Sequence, residues 1–339
     1  MAIDWQSLDF SYRDTAGHVR YVWKDGQWSK GRLYRKPIMP MHVAATSLHY
    51  GQSVFEGLKA FTCRDGKVRV FRLDENVRRM AMSARRLMMP EVPDRIFREA
   101  VFQAIKLNHE YVPPYGTGGA LYIRPLLFGA GPRIGVQPAD EYVFLVIVLP
   151  VGNYYKGGLQ PVSAVVFDDY DRAAPLGIGH VKAAGNYAID MEPHHRAKTL
   201  GCPITLYLDA REHRFIDEFN TSNFIAISGA GDEYLTPDSR SALPSITNKT
   251  LSQLAADEGL KVTRRPIEFE EVPRFSEVAA CGTAVVITPV NRILRGAQVI
   301  EIGPRQGCGP VFSKLYNKVR AIQVGDLPDT HGWTCAVPL

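Results

Sequence analysis

The chain has no apolar stretch approaching the roughly 18 residues that a membrane-crossing helix needs. Its longest apolar run lies near Tyr142 to Val151 and is well short of that. The first ten residues, M-A-I-D-W-Q-S-L-D-F, have neither the basic start nor the apolar core of a signal peptide. No C-x-x-C pair stands among Cys63, Cys202, Cys281, Cys308 and Cys335, which argues against a zinc ribbon or dithiol exchange. An odd number of widely spaced thiols is expected to be reduced and cytoplasmic. Blocks of like charge are also missing. The 40 basic and 35 acidic residues are scattered and leave a net charge of +5, which excludes a nucleic-acid footprint and suits anionic small molecules at most. No internal repeat is visible. His194 and His195 are neighbours with no carboxylate or cysteine at ligand spacing, so no metal site is expected. What remains is an ordinary globular composition, 45% hydrophobic and 22% charged, in 339 residues. That length suggests two α/β domains.

Along the chain, Asp25-Gly26 between Tyr21–Trp23 and Gln27–Trp28 predicts a hairpin. Leu48 to Gly57 mixes aromatic and small residues, and it reads equally as a buried strand or as a pocket wall where Gly51 and Gly57 admit close backbone. Residues 67–71 alternate as a strand. Asp74 then opens a helical pattern, with Arg79 on its apolar side in need of an anion. A second helix is predicted over 94–111, followed by strands at 120–126 and 141–149, the first carrying Arg124 in an apolar run. Residues 150–161 are rich in Pro, Gly and Tyr, which places a domain boundary there. We expect domains over 1–155 and 164–339, with 156–163 as connector and the second domain carrying Lys182. Further strands are expected at 162–167, 204–208, 214–216 and 224–228, with Asp217 to Asn223 as a polar turn.

Three features carry chemistry. Lys182 lies in G-H-V-K-A-A-G-N-Y, apolar and glycine-punctuated, a setting for an amine that must lose its charge to act as a nucleophile. Leu243 to Asn248 leads into a predicted helix, and Cys281-Gly282-Thr283-Ala284 is a tight turn between strands. Both converge backbone N–H groups and hydroxyls on an anion. One chemistry uses all of these parts. A Schiff-base lysine, a tyrosine close behind it, a carboxylate for a ring nitrogen and an Arg-plus-backbone cup for a dianion describe a pyridoxal 5'-phosphate site.

The motifs L-H-Y-G-x-x-V-F-E-G (48–57), L-Y-I-R-P (121–125), P-V-G (150–152), K-A-x-G-N-Y (182–187), I-D-E with Asn223, L-P-x-I-T (243–247) and G-T-A (282–284) run in one order over nearly the whole chain. In this the chain resembles the branched-chain amino acid aminotransferases, of the fold-type-IV pyridoxal phosphate enzymes. The resemblance implies a two-domain α/β (α+β) fold like that of D-amino acid aminotransferase, with the cofactor site between the domains, and a cytoplasmic homodimer. It implies ping-pong transamination of L-leucine, L-isoleucine and L-valine with 2-oxoglutarate.

By the same resemblance Lys182 is the Schiff-base lysine and proton shuttle. Glu218 meets the ring nitrogen, Tyr187 the phenolate oxygen, and Arg79, Ile246, Thr247 and Thr283 the phosphate. Tyr50 and the Thr283-Ala284 backbone hold the substrate carboxylate, Arg124 with Tyr122 takes a distal carboxylate, and Phe55, Tyr122 and Tyr154 or Tyr155 wall the side-chain pocket. Ala184 and Phe219 replace glycines usual in the family. The rivals are another fold-type-IV enzyme, such as a D-amino acid or (R)-amine aminotransferase or aminodeoxychorismate lyase, and a non-catalytic cofactor-binding protein.

Overall fold

The computed structural model describes residues 3–152 and 159–338. The chain divides into two compact units. One comprises Met1–Tyr154, Val181–Gly185 and Ala321–Leu339, and the other Tyr155–His180 and Asn186–Arg320. This departs from a linear division in two places. Residues 181–185, with Lys182, group with the first unit because their backbone bonds to the strand Ser53–Phe55. The C-terminal residues group there because Thr334–Ala336 is a strand of its sheet.

The first unit's sheet is antiparallel throughout. Its strand order is Thr334–Ala336, Val68–Phe71, Leu58–Thr62, Ala120–Gly129, Glu141–Val151, His18–Lys24 and Gln27–Trp28. Ser53–Phe55 pairs beside Ala120–Gly129, and Arg32–Tyr34 beside His18–Lys24. The Asp25-Gly26 turn joins its hairpin with both residues at positive φ, 50° and 78°, the backbone that a two-residue turn between twisted strands requires. The helices Leu73–Arg86 and Asp94–Leu107 bury an apolar stripe, Val77, Met80 and Ala84 on the first and Ile96, Phe97, Val101 and Ile105 on the second. Asp74 does not cap the first of these; Arg72, at φ 59°, is the N-cap and Asp74 lies in the first turn. Leu48 to Tyr50 forms not a strand but a short helix, Thr46–Tyr50, closed by Gly51 at φ 62°. Gly51 therefore serves a helix end that needs left-handed backbone.

The second unit holds a mixed sheet in the order Ile216–Phe219, Ile204–Leu208, Val162–Val166, Val286–Arg295, Glu277–Gly282, Asn223–Ile227, Glu233–Pro237 and Lys261–Arg265. Val162–Val166 is parallel to both of its neighbours, and Glu233–Pro237 is parallel to Lys261–Arg265. Its core gathers Ile216, Phe219, Phe224, Ala226, Ile267, Phe275 and Ile293. The expected polar turn 217–223 is shorter than its composition suggested. Asp217, Glu218 and Phe219 lie on the strand Ile216–Phe219, all buried, and only Asn220 to Ser222 turn. Phe219 explains this: it stacks on Phe224 with ring centroids 5.8 Å apart and is fully buried, so apolar packing pulls the two acids into the sheet.

Candidate active site

In the first unit, Lys182 is held by its backbone. Its N–H donates to Ser83 Oγ at 3.2 Å, and its carbonyl accepts from Phe55 N–H at 3.1 Å. Ala184 N–H donates to Ser53 O at 3.1 Å, and Ala183 bridges Val54, so the lysine segment runs as an added edge to Ser53–Phe55. Ala184 turns out of that edge without a positive φ, so the position does not require glycine. The Lys182 Nζ stands 4.7 Å from the centroid of the Phe55 ring. Ser83 is one helical turn from Arg79, and side chains four apart share a helix face, so the helix Leu73–Arg86 presents both to this site.

Arg79 points inward, as its position on the apolar side implies, and its anion in this chain is Glu56. Nε donates to Oε1 at 2.8 Å and Nη2 to Oε2 at 2.7 Å, a two-point fork with Arg79 8% exposed and Glu56 fully buried. Asn76, three residues before Arg79, adds an Nδ2 bond to Oε2 at 2.8 Å. Glu56 is a residue that sequence reasoning passed over. The signal was there, a lone carboxylate in the otherwise apolar V-F-E-G, which asks for a cation as surely as Arg79 asks for an anion.

The aromatic cluster of the first unit joins three expected substrate residues. The guanidinium of Arg124 lies 4.6 Å from the Phe55 centroid and 5.2 Å from that of Tyr122. Its Nε and Nη2 donate to the Tyr122 hydroxyl at 3.2 and 2.8 Å. Phe10 meets Tyr122 edge-on at 4.8 Å. Gly57 is the close approach here, since a Cβ at that position would stand 2.4 Å from the Tyr122 hydroxyl. Gly57→Ala is therefore expected to push Tyr122 off Arg124 and to raise KM for a distal carboxylate by roughly tenfold, the weight of one hydrogen bond to a charged group, with KM for leucine changed less. Steady-state kinetics on the two substrates measure the split. Tyr50 is placed apart from this cluster: it is 44% exposed, and its hydroxyl donates to the Ile134 carbonyl. Tyr154 and Tyr155 lie outside the described residues.

In the second unit Glu218 is buried and held as an acceptor. Oε1 receives the Leu243 N–H at 2.9 Å and lies 2.6 Å from Arg172 Nη2; Oε2 receives Asn223 Nδ2 at 2.6 Å. Burial pushes its carboxyl above the usual range, while the Arg172 charge and these hydrogen bonds pull it back. Asp217, its neighbour, is also raised by burial and accepts from Ser239 Oγ at 2.5 Å. Tyr187 sits half-buried on the short helix Gly185–Ala188.

The helix predicted to follow Asn248 already includes it, spanning Ile246–Asp257. Ser245 caps it, accepting from Asn248 N–H at 3.1 Å. The N–H groups of Ile246 and Thr247, first in the helix, have no acceptor among the described residues. Thr283 and Ala284 turn between the strands Glu277–Gly282 and Val286–Arg295. Val286 follows at φ 65°, which a β-branched residue adopts only where its surroundings impose it.

These features fit pyridoxal 5'-phosphate. A helix start with two unsatisfied donors suits a phosphate, and a buried carboxylate with one donor on Oε2 has room for a further one, as a protonated ring nitrogen would supply.

Comparison with known proteins gives the same reading. Residues 53–293 match the family model described as amino-transferase class IV. The chain is 41% identical to the branched-chain-amino-acid aminotransferase of Haemophilus influenzae over 99% of both chains. It is 42% identical to the Mycobacterium tuberculosis enzyme of that name, over 90% of this chain and 85% of the relative. The fold aligns with the crystal structure of the Escherichia coli branched-chain amino acid aminotransferase at a TM-score of 0.78 and 28% identity, covering 94% and 99% of the two chains. With the family match spanning most of its length, this chain belongs to the class IV amino-transferases.

Proposed function

We propose that the protein transfers the amino group of L-leucine, L-isoleucine or L-valine to 2-oxoglutarate, giving branched-chain 2-oxo acids and L-glutamate in two half-reactions. The observation that carries the substrate assignment is the packing of Arg124 against Phe55 and Tyr122, an aromatic face with one guanidinium set into it. Such a face favours a branched apolar side chain, and the guanidinium admits the second carboxylate of glutamate and 2-oxoglutarate in the other half-reaction.

Pyridoxal 5'-phosphate, when bound, supplies the electron sink and carries the amino group between the half-reactions. Lys182 holds the cofactor and moves the proton at the substrate Cα, as base in one direction and acid in the other. Glu218 serves the ring nitrogen and Tyr187 the phenolate oxygen. Arg79, Ile246, Thr247 and Thr283 take the phosphate, and Tyr50 with Thr283 and Ala284 holds the substrate carboxylate. A cytoplasmic homodimer is part of the same reading, and it gives the exposed ring of Tyr50 a second chain to face. Among the described residues no helix is long and apolar enough to cross a membrane.

The deciding experiment compares amino donors against 2-oxoglutarate. L-Leucine, L-isoleucine and L-valine are expected to exceed D-alanine and (R)-amines in kcat/KM by at least about 10³-fold, since a wrong-handed donor turns its Cα proton away from the base. A preference for D-alanine would move the protein to the D-amino acid branch of the fold, and a bound cofactor that no donor converts would make it a binding protein.

A further inference from the structure

Arg172 has no part in the motifs that point to this site, and the acidic run D-D-Y-D-R in which it sits has the composition of a solvated loop. In the structure it is 6% exposed. Its Nη2 stands 2.6 Å from Glu218 Oε1, donates to the Gly179 carbonyl at 2.8 Å and donates also to the Ser241 carbonyl. The same atom thus ties the loop at 179, the segment at 241 and the strand carrying Glu218. The packing is tight enough to exclude a side chain at Gly179, where a Cβ would lie 2.1 Å from Ser241 O and 2.9 Å from Arg172 Nη2. Nε, by contrast, is buried with no partner, so this arginine's strong contacts are gathered at one end of its guanidinium.

The surroundings of Glu218 show why that matters. Asp217 is next to it in the strand and adds a like charge, and the buried thiol of Cys281 on Glu277–Gly282, paired with Asn223 across the sheet, is within reach of its field. Tyr207 is its partner across the sheet, with its hydroxyl turned to Asp190. Asn223 and the Leu243 N–H donate but carry no charge. Among the described residues Arg172 is the one cation at ion-pair distance from Glu218. A carboxylate this deeply buried persists as an anion only with a countercharge and satisfied lone pairs.

We propose that Arg172 is a positioning residue of the transamination site: it anchors Oε1 of Glu218 and supplies the countercharge that keeps this carboxylate ionised for the cofactor's ring nitrogen. The proposal rests on the assignment of Glu218 made above. It does not make Arg172 a catalytic residue, because its contacts are with Glu218 and two backbone carbonyls.

The test is the dissociation constant of pyridoxal 5'-phosphate from the full-length, cofactor-depleted protein, with thermal melting of the same samples as a check on folding. Arg172→Met is expected to weaken cofactor binding by roughly tenfold or more, the weight of a lost charged hydrogen-bond partner, and more so at pH 6.5 than at pH 8.5 as Glu218 takes up a proton. In a Glu218→Gln background the same substitution is expected to change the constant by no more than about threefold, because a neutral amide has no charge to preserve. A full tenfold loss in that background, or wild-type binding and pH dependence in Arg172→Met alone, overturns the proposal. If the Met variant does not fold, Arg172→Lys retains the charge and loses the two carbonyl contacts. Binding within about threefold of wild type then supports the countercharge role, and a tenfold loss overturns it. Should wild-type protein itself fail to bind the cofactor, the assignment of Glu218 fails instead, so the two failures are distinguishable.

Discussion

Replacing Lys182 by alanine is expected to lower kcat for leucine and 2-oxoglutarate by at least about 10⁴-fold, the upper range for loss of a positioned acid–base group. The fold should be untouched. Both contacts that place residue 182, the N–H to Ser83 Oγ and the carbonyl from Phe55 N–H, are made by main-chain atoms that alanine retains. The side chain contributes its stem and an amine 4.7 Å from the Phe55 ring. A melting curve near wild type, loss of the visible absorbance of the bound cofactor and partial recovery of turnover on adding a small primary amine would together identify the amine as the missing group. Appreciable turnover in the alanine variant, with its cofactor band intact, would remove Lys182 from the mechanism.

Glu56→Ala has its large effect on stability. It leaves the Arg79 guanidinium buried without the carboxylate that holds Nε and Nη2, and it strips Asn76 of an acceptor. Breaking one side of a buried pair costs about 3–5 kcal/mol, which in a unit of this size lowers the thermal midpoint by on the order of 10 °C. Cofactor affinity should fall with it, because Arg79 loses the two-point carboxylate contact that fixes its guanidinium. Replacing both partners, Glu56→Met with Arg79→Met, separates the two consequences. Stability should return in large part, since an apolar pair of similar volume has no desolvation cost, while cofactor binding stays weak. Calorimetry and cofactor titration on the three variants check this. A single variant that melts like wild type would mean that the fork contributes little.

What could be read from the residues followed from how local the physics was. The Asp25-Gly26 hairpin, the helix carrying Arg79 and the strands expected at 120–126 and 141–149 rest on short-range periodicity and turn chemistry; all are present, the two strands running on to Gly129 and Val151. The errors came where distant packing overrode composition. Asp217 and Glu218 looked like turn residues until Phe219 found Phe224, and Leu48 to Tyr50 curled into a helix whose end needed Gly51. The site behaved similarly. Lys182, Arg79 and Arg124 stand out because charged residues in apolar runs need a reason, and Glu218 through the order of the motifs, whereas the residues that hold them do not. Glu56 and Arg172 become visible only when a fold brings residue 56 to 79 and residue 172 to 218.

The strand Thr334–Ala336 has a consequence for how the protein is made. Every strand of the first unit's sheet except Thr334–Ala336 lies within the first 151 residues, so until much later Val68–Phe71 has a partner on only one side, because the other belongs to residues more than 260 positions later. An open edge of backbone N–H and C=O groups is a template for foreign strands. On the ribosome this unit therefore carries an unpaired edge until residues 334–336 have emerged, and only then is the sheet that receives Lys182 closed on that side.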